Sequence, residues 1–309
     1  MYMTRISNRA TSSLAKWAVG LFLGLGCLAN AAAAGFEPPP IANQPGTEHH
    51  VGKVIWAELV TPRLSEAEHF YAGLFGWTFK EQATFNGHYA LALLNGEPVA
   101  GLIHHPVRET EKRQPYWLTF IAVKDVDAAG RIAVGGGGKM VVAPHTYPSR
   151  GRQAVLTDPQ GAPFAVIASA SGDSPDYLAE NGAWIWSSLL TRDPEANIAF
   201  YQNVFGYEVY DLQSDDGLQH AVLATEDMAR ASVNALPADA AHRHPHWLNF
   251  IRVADATATA TRAVALGGTI LVAPRVDRHG GKLAVIADPD GAPFGVMEWN
   301  VDDSKEVSK

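Results

Sequence analysis

The heptapeptide DPQGAPF, Asp158 to Phe164, returns 130 residues later as DPDGAPF, Asp288 to Phe294. Shifting residues 116–169 by that offset lays them on 246–299 without a gap and gives 24 identities in 54 positions. YWLTFIAVKD falls on HWLNFIRVAD, and VVAPHTY on LVAPRVD. The offset holds upstream too, where WAELVT meets WSSLLT and FYAGLFGW (Phe70 to Trp77) meets FYQNVFGY (Phe200 to Tyr207). Only the middle, around GHYALALLNGEPVAGLIHH, fits loosely. A repeat of this length means two homologous units. They span 51–169 and 182–299, an ordinary domain size each, with a polar linker over 170–181 and a polar tail over 300–309.

Each unit divides again. VIWAELVT has the β-branched and aromatic content of a strand. SEAEHFYAGLF follows, with Phe70, Leu74 and Phe75 on one helical face and Gly76 to end it. In the second unit Asp193 and Pro194 supply an N-cap and a first-turn proline, and Gly206 closes the helix. Three strand-like runs come next: WTFKEQ, HYALALL and PVAGLIH. The order then recurs, with strand YWLTFIAV, a helix opened by Asp125 and ended by GGGG at 135–138, and strands KMVVAP, RQAVLTD and PFAVIA. DPxGAPF is the turn of the last hairpin, since Asp opens such a turn, Pro presets φ and Gly relieves its end. The expected fold is α+β, with two βαβββ modules per unit. GGGG caps a helix C-terminus, whereas a phosphate cradle precedes a helix.

The doubled βαβββ order, FYxxxFGW at the helix end, WLTFIAV followed by Asp, and the closing DPxGxPF resemble the vicinal oxygen chelate superfamily, which includes glyoxalase I, extradiol dioxygenases and bleomycin-resistance proteins. The likeness covers 51–299 and points to bacterial proteins with two fused glyoxalase-like domains. It implies a curved mixed sheet around a cavity in each unit. In metal-using members it also implies ligands on the first strand, on the first strand of the second half, and on the last strand. Those positions fall on Trp56, Leu118 and Ala165 in unit one and on Trp186, Leu248 and Gly295 in unit two. A divalent ion needs several converging His, Glu or similar donors, and indole offers an N–H but no lone pair for a metal. The resemblance therefore carries the fold and the cavity, with no metal and no cofactor expected.

Strand alternation selects what lines each cavity, because residues two apart share a face. Trp56, Glu58 and Val60 form one such set, and Trp186, Ser188 and Leu190 form its counterpart. Trp56, Glu58, Trp186 and Ser188, with Leu118, Phe120, Leu248 and Phe250, make the candidate ligand-binding residues. Glu58 stands out as a carboxylate on a mostly apolar face, readable as a general base or as a structural acceptor, since buried charges are usually paired. Trp56 and Trp186 are either stacking surfaces for a flat ligand or core fillers. His242, His244 and His246 could bind Zn or Cu if extended, although short His-rich tracts are compositional hints only. His104 and His105 end a strand that could reach the cavity mouth. His88, Tyr89 and His220 lie on strands too loosely aligned to assign a face. No Ser-His-Asp arrangement is assignable from spacing.

Address and charge narrow the partners. Arg5, Arg9 and Lys16 precede the apolar run WAVGLFLGLGCLANAAAAG, which has the layout of a signal peptide over 1–34 with an Ala-rich cleavage site before Gly35. The single cysteine, Cys27, lies inside it, so each domain lacks a disulfide or a thiol ligand. A lipoprotein anchor through Cys27 is the rival reading, with Gly24 where such motifs usually carry Leu. Removing 1–34 takes away three basic residues and no acidic one, moving the formal charge from −8 to −11. An acidic chain without basic clusters is poorly suited to nucleic acid or anionic lipid. The Pro-rich stretch over 35–50 reads as a flexible or extended spacer.

Three functions fit. The first is an exported, metal-free binder of a small apolar or aromatic molecule, periplasmic or secreted, as a monomer or a homo-oligomer. The second is an enzyme using Glu58 as base, or a metal enzyme with non-standard ligands. The third is a structural protein whose cavities are filled by side chains.

Overall fold

The computed structural model describes residues 36–84, 87–105, 115–212, 220–236, 244–277 and 280–299. Unit one runs β1 (Val54–Thr61), α1 (Leu64–Phe75), β2 (Thr78–Thr84), β3 (Gly87–Leu94) and β4 (Glu97–His104), then β5 (Tyr116–Ala122), α2 (Val126–Gly135), β6 (Lys139–Tyr147), β7 (Gly151–Thr157) and β8 (Pro163–Ser169). Unit two repeats this with β9 (Trp184–Thr191), α3 (Pro194–Phe205), β10 (Glu208–Leu212), β11 (His220–Thr225) and β12 (Met228–Ala235), then β13 (His246–Arg252), α4 (Ala256–Ala265), β14 (Thr269–Val276), β15 (Lys282–Ala287) and β16 (Pro293–Met297). The expected pair of βαβββ modules is present in both units. The caps at Asp125 and Asp193 are as read, and Asp255 caps α4 in the same way: all three side chains accept the first free helical N–H groups, and Gly206 closes α3 in the left-handed region.

Each unit is one eight-stranded mixed sheet, ordered β2-β3-β4-β1-β5-β8-β7-β6 and β10-β11-β12-β9-β13-β16-β15-β14. The helical crossovers place β1 parallel to β4 and β5 parallel to β8, as a strand-helix connection requires, while β1 and β5 join the modules antiparallel. Alternation gives every central strand an outer face toward the helices and an inner face away from them. Ala57, Leu59 and Trp117 belong to the outer core, and Trp56, Leu118, Phe120 and Ala165 to the inner one.

The outer cores are shared between units. One joins Leu59, Phe70, Tyr71 and Leu102 of unit one to Ile251, Ala284, Phe294 and Val296 of unit two. The other joins Ile121, Leu156 and Phe164 to Tyr201, Phe205, Leu223 and Val233. This explains why DPxGAPF is written twice, because each copy docks on the FY helix of the opposite unit. Asp158 takes the backbone N–H groups of Gln160 and Ala162 on Oδ1, and Asn197 and the Tyr201 hydroxyl on Oδ2. Asp288 takes Asp290 and Ala292 N–H on Oδ1 and the Tyr71 hydroxyl, at 3.2 Å, on Oδ2. Both tyrosine oxygens in turn accept an indole N–H, from Trp247 and Trp117 respectively, each at 3.0 Å. Thr119 and Asn249, counterparts at the 130-residue offset, bond each other and so lie beside the local two-fold axis.

Burial pushes Asp288 up from 3.8 to about 6, against the N–H groups that hold its charge. With its proton bound more tightly in the folded than in the unfolded state, this carboxyl contributes most below about pH 4, and that contribution is lost as pH rises through about 6. The fall in melting temperature between these limits should therefore be smaller in Asp288→Asn than in the parent. Parallel slopes for the two chains would refute this assignment.

Candidate functional site

The structure brings all eight candidate ligand-binding residues to the inner faces. In unit one Trp56, Glu58, Leu118 and Phe120 meet Tyr89, Leu91, Val155 and Ile167. A polar network crosses this apolar ground. Glu58, 2% exposed, accepts on one oxygen from the Trp56 indole at 3.2 Å, the Tyr89 hydroxyl at 3.2 Å and Arg150 Nη1 at 3.0 Å. Arg150 is 0% exposed, donates Nη2 to the Tyr89 oxygen at 2.9 Å, and stacks its guanidinium 4.9 Å from the centre of the Trp56 ring. Burial pushes the Tyr89 hydroxyl far up, so it keeps its proton and donates to Glu58. Gly101 is required beside them, since a Cβ there would lie 2.3 Å from the Tyr89 oxygen.

The segment after residue 35 is no detached spacer. Phe36 packs on Tyr89 with ring centres 5.3 Å apart, and Ile41 joins the same cluster. The carbonyl of Pro39 accepts from Arg150 Nε at 2.6 Å, and Glu37 takes the Ser149 N–H at 2.6 Å. A buried guanidinium edge and an apolar face attract the strap that composition alone describes as extended chain.

Unit two keeps the frame and changes the chemistry. By register, Ser188 stands where Glu58 stands, Ser232 where Gly101 does, and His220 and Asn234 where Tyr89 and Ile103 do. Gly280 replaces Arg150 at the 130-residue offset. The result is a neutral string: the Trp186 indole donates to Ser232 at 3.1 Å, Ser188 and Ser232 hydroxyls lie 2.7 Å apart, Asn234 Nδ2 donates to Ser232 at 3.1 Å, and Asn234 Oδ1 meets His220 Nδ1 at 2.8 Å. Leu248, Phe250 and Met297 are buried beneath, while Trp186, Ile185, Leu190 and Trp299 stay partly exposed.

The residues at the superfamily's metal positions do not fit a metal. Trp56 and Trp186 present N–H groups already given to Glu58 and Ser232. Leu118, Leu248, Ala165 and Gly295 offer no side-chain donor atom, and a Cβ on Gly295 would sit 2.1 Å from the Phe250 ring. At the seam between units His50, Asp176 and Glu226 converge, but Lys53 and Arg230 already take the Asp176 carboxylate at 2.8 and 2.6 Å, and Arg230 takes Glu226 at 3.0 Å.

The histidines divide. His242 lies outside the described residues, so the HRHPH trio is only partly placed, with His246 Nδ1 2.8 Å from the His244 carbonyl. His88 is exposed near Glu81, whereas Tyr89 and His220 reach the inner networks. His105 is buried where its N–H meets the Thr61 carbonyl. Residues 1–35, which include Cys27, and residues 300–309 lie outside the described residues. Sequence reading missed Arg150, the strap, Ser232 and Asn234.

Residues 49–166 match the Glyoxalase/Bleomycin resistance protein/Dioxygenase superfamily, and residues 186–297 match a glyoxalase-like domain family. A protein of Mycobacterium bovis named putative glyoxylase CFP32 is 34% identical over 254 residues, covering 82% of this chain and 97% of that one. The anthracycline biosynthesis protein DauV of Streptomyces sp. strain C5 is 31% identical over 260 residues, covering 80% and 93%. Among solved structures, the Mn(II)-bound glyoxalase of Novosphingobium aromaticivorans superposes with a TM-score of 0.58 at 18% identity, over 84% of this chain and 87% of that one. A variant of homoprotocatechuate 2,3-dioxygenase from B. fuscum gives 0.60 at 16% identity, over 87% and 76%. At such identities these structures speak for the fold alone.

Proposed function

Since the chain belongs to the Glyoxalase/Bleomycin resistance protein/Dioxygenase superfamily, as two glyoxalase-like domains in tandem, we propose that it binds a small flat molecule on the inner face of unit two, without a divalent metal. The observation that carries this reading is the contrast between the two inner faces. Unit one closes its face with Arg150, Glu58 and its own strap, while unit two leaves Trp186 and Trp299 partly exposed, 6.0 Å apart and tilted by 35°, beside uncharged hydrogen-bonding groups. Two indoles and a Ser-Ser-Asn-His edge suit an aromatic ring system with hydroxyl or carbonyl substituents. The relatives named for anthracycline biosynthesis make flat polycyclic ligands the first class to try.

In this reading Glu58 is a structural acceptor, because three donors converge on one oxygen and Arg150 offsets its charge. Titration with an anthracyclinone, followed by its fluorescence anisotropy, should show saturable binding that chelator treatment leaves unchanged. Trp186→Ala should weaken it about tenfold, the equivalent of about 1.4 kcal/mol. Equal affinity in Trp186→Ala, or binding that chelation abolishes, would overturn the assignment.

A further inference from the structure

The strap in unit one occupies a place whose chemistry exceeds what filling a core requires. A core gains little from a fully buried ion pair, because desolvation offsets the attraction between the charges. Here the guanidinium is nonetheless built in, with Nη1 on Glu58, Nη2 on Tyr89 and a tryptophan ring beneath it. Among the described residues its remaining edge, Nε, meets the strap, through the Pro39 carbonyl at 2.6 Å. A second polar group supports the same view. Gln153 shares the inner face with Val155 by alternation and is 7% exposed, and its Oε1 takes no hydrogen bond from any described residue.

The strap itself is lightly held. Pro38, Pro39 and Pro40 carry no N–H and donate no backbone hydrogen bond. Besides Arg150, its hydrogen bonds among the described residues are Ser149 to Glu37, Gln82 to the Glu37 carbonyl at 3.4 Å, and, just beyond it, Asn43 to the Gly96 carbonyl at 2.8 Å. What it places on the face is an aromatic ring, Phe36 on Tyr89, and a carbonyl oxygen on Arg150.

We propose that the inner face of unit one is a second binding site, for a neutral aromatic carbonyl compound, and that residues 36–41 are a tethered stand-in which a ligand displaces. Neutrality follows from the charge count at the site: Glu58, 3.0 Å from Arg150, already balances the guanidinium, so an uncharged acceptor fits better than a carboxylate. This site is independent of the one on unit two.

The test uses the full chain and a matched pair of probes, benzylacetone and its carboxylate analogue hydrocinnamate, with Phe36→Ala/Ile41→Ala as the chain whose strap is weakened. Binding is read by saturation-transfer NMR and calorimetry. Benzylacetone should bind the weakened-strap chain about tenfold more tightly than the parent, as expected if the parent face is open about a tenth of the time. An acetylated peptide of residues 35–43 should displace it, and hydrocinnamate should bind more weakly. In the weakened-strap background Arg150→Met/Glu58→Leu, which removes both charges together, should abolish benzylacetone binding. Equal affinity in the parent and the weakened-strap chain, or no displacement by the peptide, would overturn the proposal. So would tighter binding of hydrocinnamate, or a weakened-strap chain that no longer folds, since the strap would then be part of the core.

Discussion

Arg150→Ala is expected to destabilise the chain by about 3–5 kcal/mol, because it strands the Glu58 carboxylate on an apolar face at 2% exposure. Glu58→Gln should also destabilise, since the amide can still accept from Trp56 and Tyr89 but leaves the buried guanidinium without a counter-charge. The paired replacement Arg150→Met/Glu58→Leu should lie much closer to the parent than either single change, since removing both buried charges avoids the uncompensated one. Chemical denaturation of the parent, Arg150→Met, Glu58→Leu and the paired replacement closes a double-mutant cycle. Additive effects in that cycle would show that the pair does not act as a unit. Intact ligand binding on unit two in Glu58→Gln would agree with a structural role for this residue, whereas loss of that binding at unchanged stability would restore it to the functional site.

Phe294→Ala should cost about 3–5 kcal/mol, the range for truncating a buried phenylalanine. Phe294 is 0% exposed and packs against Phe70, Tyr71 and Phe75 of the opposite unit. The larger consequence concerns the units as pieces. Because each outer core takes residues from both, residues 36–175 or 176–299 alone would expose half of two cores, and neither piece should show a cooperative melt. Co-expression of the two should restore one. A cooperative transition in either isolated piece, with ordered side-chain NMR signals, would mean that the units fold independently and that the shared cores form by docking.

Comparing the two units residue by residue carries more information than either alone. Glu58 against Ser188 is visible at the first strand, and Arg150 against Gly280 sits at the same offset, so acid and base disappear together from unit two. That joint loss is the sequence signal for the ion pair, but Arg150 adjoins a turn, where a solvated cation is the ordinary expectation. The strap left no comparable signal. FEPPPIAN has the composition of a linker, and its place depends on Tyr89, Ser149 and Arg150, which come from separate strands and a turn. Tyr89 and His220 were unplaceable for a related reason, since a one-residue difference in spacing between the units reverses a strand's faces.

Local rules determined the element order, the caps at Asp125 and Asp193, the hairpin turns, and which side chains share an inner face, because strand period and capping act within a few residues. Those rules reach no further than one unit. That the two DPxGAPF turns grip each other's helices, that Arg150 meets Glu58 across 92 residues of chain, and that one inner face is closed while the other stays partly open were decided by tertiary structure. The physical reason is that burial and charge pairing depend on which surfaces come together, and a sequence pattern names the apolar faces without naming what covers them.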